Sequence, residues 1–334
     1  MRNVHLVVPE LFLSKYFAVE ACVNLQIPCT EKLLARGTSA QLKEPVTLES
    51  ALTAFFGQLG TDSTPITAVS AVYDGLPQGD WLRADPVNLC LQRDQMLLSG
   101  VLPSAEESRQ LCASLNEYFS GREMQFFAPH PQRWYLRLNA LPRIRTIPLP
   151  ELYGRNIRRA LPEGEDAAHW HQLFNEIQML LYAHPVNDAR EARGELPINS
   201  LWFWGEGKWV ESLRKNYQNV SSDDELTKMF SVTAGIPFAE WSPYWQASKV
   251  DQLLVWTGLR SALQRGDLAA WRDFLQDFEI GYAQPLWQAL QNGKIRQIKI
   301  DVLAGRNSRR FKVTRGETWA FWRRSKPLTH YSTV

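Results

Sequence analysis

One short stretch of the sequence combines side chains that could hold an anion. His184 stands immediately before Pro185, and Asn187, Arg190 and Arg193 follow at three-residue intervals. On a helix, this spacing places the last three side chains along one side. Two guanidinium groups and an amide beside a histidine can chelate a phosphate or a carboxylate. The stretch therefore predicts a site for an anionic ligand.

The same stretch allows a purely structural interpretation. Its two arginines could form ion pairs with Glu191, with Glu195 or with acids more distant in the chain. Asn199, which we place in the same predicted ligand site, could instead cap a turn, because short amide side chains hydrogen-bond readily to the backbone. Spacing alone does not decide between ligand binding and packing, so both interpretations stay open.

The elements that position this stretch are predicted to be helix, break, short helix, turn and strand. From Ala167 to Ala183, apolar residues recur at spacings of three and four, which is typical of an amphipathic helix. Pro185 disfavours helical geometry at the residue before it and can itself begin a second helix. Gly194 is expected to end that helix, and residues 198–204 are apolar enough for a buried strand.

A second candidate ligand site lies earlier in the chain, at Arg83 and Asp85. The sequence around them predicts a loop that follows a strand, a position in which functional residues often lie. A role in ligand binding and a simple ion pair that fixes the loop are both compatible with these two residue types.

The C-terminal segment carries a strong positive charge. Residues 293–334 contain eleven Lys and Arg against two Asp and Glu, whereas the rest of the chain contains 26 against 33. The total of +2 therefore hides an acidic body with a basic end. The candidate surface residues of this basic segment are Arg309, Arg310, Lys312, Arg315, Arg323 and Arg324.

The basic segment also contains aromatic residues, among them Phe311, Trp319, Phe321 and Trp322. Basic residues interleaved with aromatic ones can follow the backbone of single-stranded nucleic acid while its bases stack on the rings. The sequence has no zinc-finger or RNP motif, however, and the charge could equally be neutralised by the acidic body or by a partner protein. We favour docking to that body or to a partner over nucleic acid binding.

Composition restricts the class of protein. Apolar residues make up 45% of the 334 residues and charged residues 22%, which excludes a disordered or collagen-like chain. No stretch approaches the roughly 20 apolar residues that span a bilayer, so we expect no membrane partner. The four cysteines are scattered without a CxxC pair, which favours reduced thiols and a cytoplasmic location.

Short apolar runs and helical patterns alternate along the chain, as in a mixed α/β fold. Ser104 and Glu107 have the spacing of a capping box before a helix that is predicted to reach Phe119. Hairpins are predicted at residues 88–99, turning at Arg93 and Asp94, and at residues 124–139. Further strands are predicted at residues 4–8, 66–73, 294–303 and 310–313, and further helices at 48–59, 223–234, 267–279, 282–291 and 318–323.

We therefore expect a central mixed, partly parallel sheet that is flanked by helices. The stretch at residues 141–150 contains three prolines, which is typical of a linker or an edge segment. It predicts a boundary between an N-terminal α/β region with hairpins, residues 1–141, and a C-terminal α/β region, residues 151–334. One continuous domain is the alternative.

The run NEIQMLLYAHPVNDAREARGELPINSLWFWGEG, at residues 175–207, resembles the signature of the RpfE-type regulatory protein family of proteobacteria. The RADPV run at residues 83–87 and the closing WAFWRRSKPL at residues 319–328 are also similar to that family. A shorter part, residues 184–207, resembles the HPVN…R…G…N…G run of archaeal-type cofactor-independent phosphoglycerate mutases, which belong to the alkaline phosphatase superfamily.

The second resemblance implies an alkaline-phosphatase-like core, here degenerate, and a reaction that needs more than this run. Mutase chemistry uses a Ser nucleophile and two divalent metals held by Asp and His, which stabilise the attacking and leaving oxygens. In this sequence the first strand leads into VVPELF without an Asp, and His330 is the only histidine after His184. Asp74-Gly75 follows a predicted strand, but no later Asp and His cluster accompanies it. We therefore expect no catalytic residues and no metal site.

These features together predict a cytoplasmic regulatory or accessory protein without turnover, which senses a phosphorylated metabolite or binds a protein partner. The first alternative is a metal-dependent phosphoglycerate mutase or phosphatase, and only this alternative calls for a cofactor, a divalent metal. The second alternative is a protein that binds single-stranded nucleic acid through its basic segment.

Overall fold

A computed structural model describes most of the chain: residues 2–42, 46–57, 66–93, 95–153, 156–158, 160–207, 209 and 212–332. The predicted turn residue Asp94 and the predicted end of a helix at Leu59 lie outside these residues.

Fourteen strands are present in this described part of the chain. In chain order they are β1 Arg2–Pro9, β2 Thr38–Gln41, β3 Trp81–Gln92, β4 Gln95–Gly100, β5 Met124–His130, β6 Arg133–Leu138, β7 Ile144–Arg145, β8 Glu163–Gly164, β9 Ser200–Gly207, β10 Asn219–Ser222, β11 Phe238–Glu240, β12 Gln252–Val255, β13 Ile295–Leu303 and β14 Arg309–Thr314.

The α-helices of the described residues are α1 Lys15–Ala21, α2 Pro28–Arg36, α3 Leu48–Phe56, α4 Ile66–Tyr73, α5 Ala105–Tyr118, α6 Ala167–Tyr182, α7 Pro185–Ala192, α8 Glu225–Thr233, α9 Gly258–Gln264, α10 Leu268–Phe278 and α11 Gln284–Gln291. A π-helical segment, Glu279–Ala283, joins α10 to α11. Short 3-10 helices lie at Leu149–Glu151, Gly316–Trp319 and Leu328–Tyr331.

The chain divides into two compact units, one made of Met1–Phe56 with Leu213–Val334 and the other of Gly57–Ser212. We call them the outer unit and the inserted unit. The sequence suggested regions of 1–141 and 151–334, and the stretch between them lies inside the inserted unit. This stretch contains the two-residue strand β7, which pairs with β8, and the start of the 3-10 helix Leu149–Glu151.

The outer unit is built on a seven-stranded sheet in the order β11-β10-β12-β1-β13-β14-β2. The first five strands are mutually parallel, and β14 and β2 complete the sheet in antiparallel fashion. Parallel strands covered by helices are typically buried and apolar along their length, and in β1 all residues from Val4 to Pro9 are buried, with His5 as the one polar side chain among them. The predicted mixed, partly parallel sheet flanked by helices is confirmed.

The inserted unit contains an antiparallel sheet in the order β4-β3-β6-β5, with β9 also paired to β3. The long strand β3 therefore lies between β9 and β6 in its first half, with Asp85 opposite Trp202 and Arg83 opposite Tyr135. Both predicted hairpins are confirmed, as are the helix α6 and the capping box at the start of α5.

Two predictions about local structure in the inserted unit are wrong. Residues 66–73 form the helix α4 and no strand, although Ile66, Val69 and Val72 are β-branched. The helix is buried along most of its length and contacts β3 and β9, where its small residues allow close packing. Packing against β3 and β9 therefore outweighs the preference of the β-branched residues for a strand. Arg83 and Asp85 lie within the strand β3 and not in a loop.

No helix in the described part of the chain is long and apolar enough to span a bilayer.

Candidate functional site

The histidine of the predicted anion site caps the helix α7. His184 is the N-cap residue, and its Nδ1 accepts a hydrogen bond from the backbone N–H of Val186 at 3.2 Å. An accepting Nδ1 leaves the proton on Nε2, which lies 2.9 Å from the Ser114 hydroxyl. Partial burial lowers the pKa of His184 in spite of the nearby Asp188 carboxylate. Both ring nitrogens of a neutral histidine are thus occupied by protein groups.

Two asparagines join the segments around α7. Asn187 is buried and donates to the carbonyls of Leu181 and Ile198 at 2.7 and 2.9 Å, while its oxygen accepts from the Ile198 N–H at 2.7 Å. Asn199 makes a similar two-sided bridge to the backbone of Leu89 on β3, at 2.8 and 2.9 Å. The two amides therefore tie the end of α6 and the start of β9 to their neighbours.

The two arginines of this cluster face carboxylates. Arg190 is only 3% exposed and donates to Glu107 at 2.8 Å and to the Leu196 carbonyl at 2.8 Å. Arg193 lies at the surface and donates to Glu107 at 2.6 Å and to Glu195 at 2.9 Å. Partial burial would raise the pKa of Glu107, but hydrogen bonds from the Ser104 N–H and from Arg193, together with the charge of Arg190, outweigh it and lower that pKa. The positive charge of the cluster is consequently balanced.

The structure therefore brings His184, Asn187, Arg190 and Arg193 together on one short helix, with Asn199 nearby in sequence. The predicted pairing of the arginines is confirmed for Glu195 and for a distant acid, Glu107. The predicted binding of a ligand by these residues stays a prediction.

Arg83 and Asp85 form a buried ion pair within the inserted unit. The guanidinium Nη2 of Arg83 lies 2.8 Å from both carboxylate oxygens of Asp85, and the two side chains are 6% and 1% exposed. Asp85 also accepts from the indole N–H of Trp204 at 2.7 Å. Burial alone would lower the pKa of Arg83, but the Asp85 carboxylate outweighs it and raises that pKa. The predicted ion pair between Arg83 and Asp85 is therefore confirmed, although it lies in the strand β3 and not in a loop.

This pair extends into a network of buried polar groups. The Arg83 guanidinium lies over the rings of Tyr135 and Trp204, at 5.2 and 5.1 Å from their centroids. The Tyr135 hydroxyl donates to Asp74 at 2.5 Å, and Arg133 donates to the same carboxylate at 2.6 Å. Asp74 belongs to the Asp-Gly pair that the sequence offered as a possible metal motif. Its carboxylate instead accepts hydrogen bonds from the Arg133 guanidinium and the Tyr135 hydroxyl.

A second polar cluster, in the outer unit, was missed by sequence reasoning. The buried imidazole of His5 lies 2.9 Å from Asp301 and 2.5 Å from the hydroxyl of Tyr217, and Arg310 donates to Asp301 at 2.7 Å. Burial would raise the pKa of Asp301, but the hydrogen bonds from Arg310 and His5 outweigh it and hold the pKa at about 2. Burial lowers the pKa of His5.

This cluster lies beside a polar cavity of about 660 Å³ along the amino-terminal halves of β1, β12 and β13. Three cationic side chains line the cavity, those of Arg296, Lys299 and Arg310, together with one carboxylate, that of Asp251, which accepts from the Asn3 N–H at 2.7 Å. Burial, together with repulsion from Arg310, lowers the pKa of Lys299. Residues 297, 299 and 301 alternate along β13, and side chains two apart on a strand share one face, which is the sequence signal that could have found this site.

The opposite, carboxyl ends of the parallel strands have a different character. Leu11 and Phe12 follow β1 and are each 2% exposed, and Trp256 follows β12 and is 6% exposed. Within the described ranges, no group of three or more His, Cys, Asp or Glu side chains is arranged to hold a metal ion. The chemistry of these side chains does not fit the two-metal centre that the mutase resemblance implies.

The predicted basic segment lies in the outer unit, and its acids are paired with its own arginines. Asp301 pairs with Arg310, and Glu317 lies 3.6 Å from Arg323. Arg315 donates to the carbonyl of Gln291. Arg309 is half-buried, whereas Lys312 and Arg324 are exposed, as are the rings of Trp319, Phe321 and Trp322. The predicted helix at 318–323 is wrong, because the 3-10 helix Gly316–Trp319 ends at Trp319 and residues 320–323 are not helical.

Comparison with known proteins gives a partial relationship. No protein-family model matches the sequence. The chain is 30% identical over 133 residues to a probable 2,3-bisphosphoglycerate-independent phosphoglycerate mutase of Geobacter sulfurreducens, a match that covers 38% of this chain and 33% of that protein. It is 29% identical over 144 residues to the phosphoglycerate mutase of the same kind from Methanosarcina barkeri, over 41% and 36% of the two chains. Each match thus spans about a third of the relative's length.

Two solved structures align with most of the chain. The PH0037 protein of Pyrococcus horikoshii matches with a TM-score of 0.50 and 12% identity, over 94% of this chain and 87% of that one. A cofactor-independent phosphoglycerate mutase from Thermoplasma acidophilum matches with a TM-score of 0.46 and 15% identity, over 95% and 90%. The sequence matches support a local relationship to cofactor-independent phosphoglycerate mutases, and the likeness to the Pyrococcus protein concerns the fold alone.

Proposed function

We propose that this chain is a regulatory or accessory protein of the RpfE type that binds a phosphorylated metabolite and does not transfer its phosphoryl group. On this proposal the core is a degenerate form of the alkaline-phosphatase-like core that the mutase resemblance implies. The proposed absence of turnover is supported by the apolar residues Leu11 and Phe12, which are packed after β1, and Trp256, which is packed after β12.

The observation that carries the binding proposal is the position of Lys299. Its half-buried ammonium group lines the polar cavity next to Arg310, and no ion pair with an acid is found for it among the residues that the structure describes. A cation that is both desolvated and repelled by its neighbours gains most from an anion placed against it. A phosphate dianion between Lys299, Arg296 and Arg310 would supply that charge.

The test is thermal stabilisation by a panel of phosphorylated three-carbon acids and sugar phosphates, with inorganic phosphate and sulfate as references. We expect at least one phosphorylated metabolite to raise the melting temperature, and Lys299→Met to remove the shift. Lys294→Met is the matched control, because Lys294 is exposed and precedes the same strand. No shift across the panel would contradict the proposal.

A parallel variant decides between the two candidate anion sites. Arg190→Ala combined with Arg193→Ala should leave the shift intact if the ligand lies at Lys299. If the double variant abolishes the shift while Lys299→Met preserves it, the ligand binds at α7, as the spacing first indicated.

The second candidate function is the phosphoglycerate mutase activity named for the partial sequence relatives. It predicts transfer or hydrolysis of phosphate from 3-phosphoglycerate in the presence of Mn²⁺, Mg²⁺ or Zn²⁺. Purified protein that stays inactive with all three metals would remove this candidate, whereas metal-dependent turnover would refute our proposal of a protein without catalysis.

A third candidate, binding to a partner protein or to single-stranded nucleic acid, is favoured by the exposed rings of the basic segment. Trp319, Phe321 and Trp322 are 70%, 78% and 69% exposed next to Arg323 and Arg324. Nucleic acid binding through this surface would weaken steeply with salt and would be lost in the triple variant Trp319→Ser, Phe321→Ser, Trp322→Ser. Binding that is absent or independent of salt leaves a protein partner as the better interpretation.

The cellular location belongs to the same proposal. The four cysteines are free thiols, as expected for a protein of the cytoplasm. Fractionation of cells that express a tagged chain would test the location directly.

A further inference from the structure

A cavity of about 500 Å³ lies at the carboxyl ends of the parallel strands of the outer unit. It is lined by the residues that directly follow three neighbouring strands: Asp223 after β10, Trp241 after β11 and Trp256 after β12. The carboxyl edge of an open parallel sheet is where such folds usually bind ligands. The volume falls within the range of small-molecule sites.

Aromatic rings that stack on one another form one wall of this cavity. The rings of Trp241 and Tyr282 are stacked with centroids 4.1 Å apart, and those of Trp256 and Phe278 with centroids 4.7 Å apart. All four rings lie parallel within 12°. Tyr244 and Phe274 add two further rings to the lining.

The π-helical segment Glu279–Ala283 holds this aromatic wall in place. The Gly281 carbonyl accepts from the Trp245 N–H at 2.8 Å, and the Tyr282 hydroxyl donates to the Ser242 carbonyl at 2.6 Å. A Cβ atom at Gly281 would stand 2.1 Å from the Pro243 carbonyl oxygen, so only glycine allows this approach. Single-turn π segments inside α-helices occur frequently at functional sites. The π-helical segment therefore fixes the position of the Tyr282 ring against the segment at 242–245.

Among the described residues, the charged side chains that line this cavity are all acidic. Asp223 and Asp277 line it, and none of its described lining residues is Lys, Arg or His. The Asp223 carboxylate is held in position by the Thr257 N–H at 2.7 Å. In such a stack the inner ring faces cover one another, so a cation gains from the ring quadrupole only at the outer faces, and the two carboxylates add a direct charge interaction. Anions are repelled by the same lining.

We propose that this cavity binds a small organic cation with a substituted ammonium group, which lies against the aromatic wall and faces Asp223 and Asp277. The site is distinct from the polar cavity around Lys299, which lies along the amino-terminal halves of the strands and carries the opposite charge. The aromatic wall supplies the affinity for the alkyl groups, and the two carboxylates select for charge.

Calorimetric titration of the full chain with choline and with tetramethylammonium tests the proposal, and 3,3-dimethyl-1-butanol serves as the uncharged analogue of choline. We expect choline to bind at least roughly tenfold more tightly than the uncharged alcohol, because only the cation gains from the rings and the carboxylates. No binding of either cation up to millimolar concentration, or equal binding of choline and the alcohol, would overturn the proposal.

Four variants locate the site. Asp223→Asn and Asp277→Asn should each weaken choline binding several-fold, whereas Asp273→Asn, an exposed residue of the same helix α10, should not. Tyr244→Leu should also weaken binding, and its ring is 66% exposed, so its loss leaves the fold intact. Unchanged affinity in all three cavity variants, with wild-type melting temperatures, would place the cation elsewhere and refute the assignment.

Discussion

The Glu107 carboxylate joins the start of α5 to Arg190 on α7, at 2.8 Å, although 83 residues separate the two in sequence. Glu107 also completes the capping box of α5 by accepting from the Ser104 N–H at 2.7 Å. One acid thus satisfies a helix terminus and neutralises a buried guanidinium. The arrangement explains why a pair of arginines with the spacing of an anion site is already occupied within the protein.

Replacement of Arg190 by alanine should destabilise the inserted unit by about 3 kcal/mol, because it removes a side chain that is only 3% exposed, together with its hydrogen bonds to Glu107 and to the Leu196 carbonyl. Arg193→Ala should cost much less, since this side chain is 48% exposed and its ion pairs are screened by solvent. Urea denaturation of the two variants measures the difference. Equal losses would mean that the Arg190 ion pair contributes no more than a surface contact.

The stability that is lost when Arg83 is replaced should be partly restored by a second substitution, at Asp85. Arg83→Met leaves the Asp85 carboxylate buried without a countercharge, at an expected loss of about 4 kcal/mol in the free energy of unfolding. The double variant Arg83→Met, Asp85→Asn should be more stable than the single one, because the amide stays an acceptor for Trp204 without a buried charge. A double variant less stable than Arg83→Met would show that charge burial is not the dominant cost.

Two glycines of the run that resembles the mutases should differ in their tolerance of alanine. Both Gly194 and Gly205 have φ = +73°, a conformation that costs an L-residue about 1 kcal/mol. A Cβ at Gly205 would also lie 2.5 Å from the Thr67 hydroxyl oxygen, whereas nothing lies within 4 Å of one at Gly194. Gly205→Ala should therefore lower the free energy of unfolding by about 3 kcal/mol and Gly194→Ala by about 1 kcal/mol. Similar melting temperatures for the two variants would contradict this account.

The stability of the outer unit should fall in acid through Asp301. Its pKa is about 2 in the folded protein and near 3.8 when unperturbed, so its contribution is complete above pH 4 and is lost as the pH falls towards 2. The expected loss from this group is about 2 kcal/mol. Denaturant titrations at pH 7, 4 and 2.5 should show a smaller acid loss for Asp301→Asn than for the wild type. An identical pH dependence of the two proteins would assign the acid sensitivity to other groups.

Local signals in the sequence were sufficient for many individual elements. Ser104 and Glu107 define a helix start through two backbone hydrogen bonds, and the apolar stripe of α6 defines a helix face; both depend only on residues a few positions apart. The helix α4 was predicted as a strand because Ile66, Val69 and Val72 favour strands in isolation, while its burial against β3 and β9 is a tertiary effect.

The candidate sites illustrate the same limit. Arg190 and Arg193 are recognisable as a pair from their spacing, but their partner Glu107 lies 83 and 86 residues away. Beside the Lys299 cavity, His5 contacts Tyr217, which is 212 residues away in sequence, and Asp301, which is 296 residues away. No short-range pattern connects such residues, since parallel strands bring together parts of the chain that are remote in sequence.

The sequence by itself determined the helix starts, the hairpins, the alternating α/β pattern and the division of charge between an acidic body and a basic end, because each depends on neighbouring residues or on composition. Only the tertiary structure decided which charges are neutralised and which stay free. Arg190 and Arg193 have acidic partners, whereas Lys299 lies in a cavity with other cations and the rings around Trp256 form a wall beside two carboxylates. The physical reason is that the energy of a charge depends on its burial and its nearest neighbours, and the fold alone sets both.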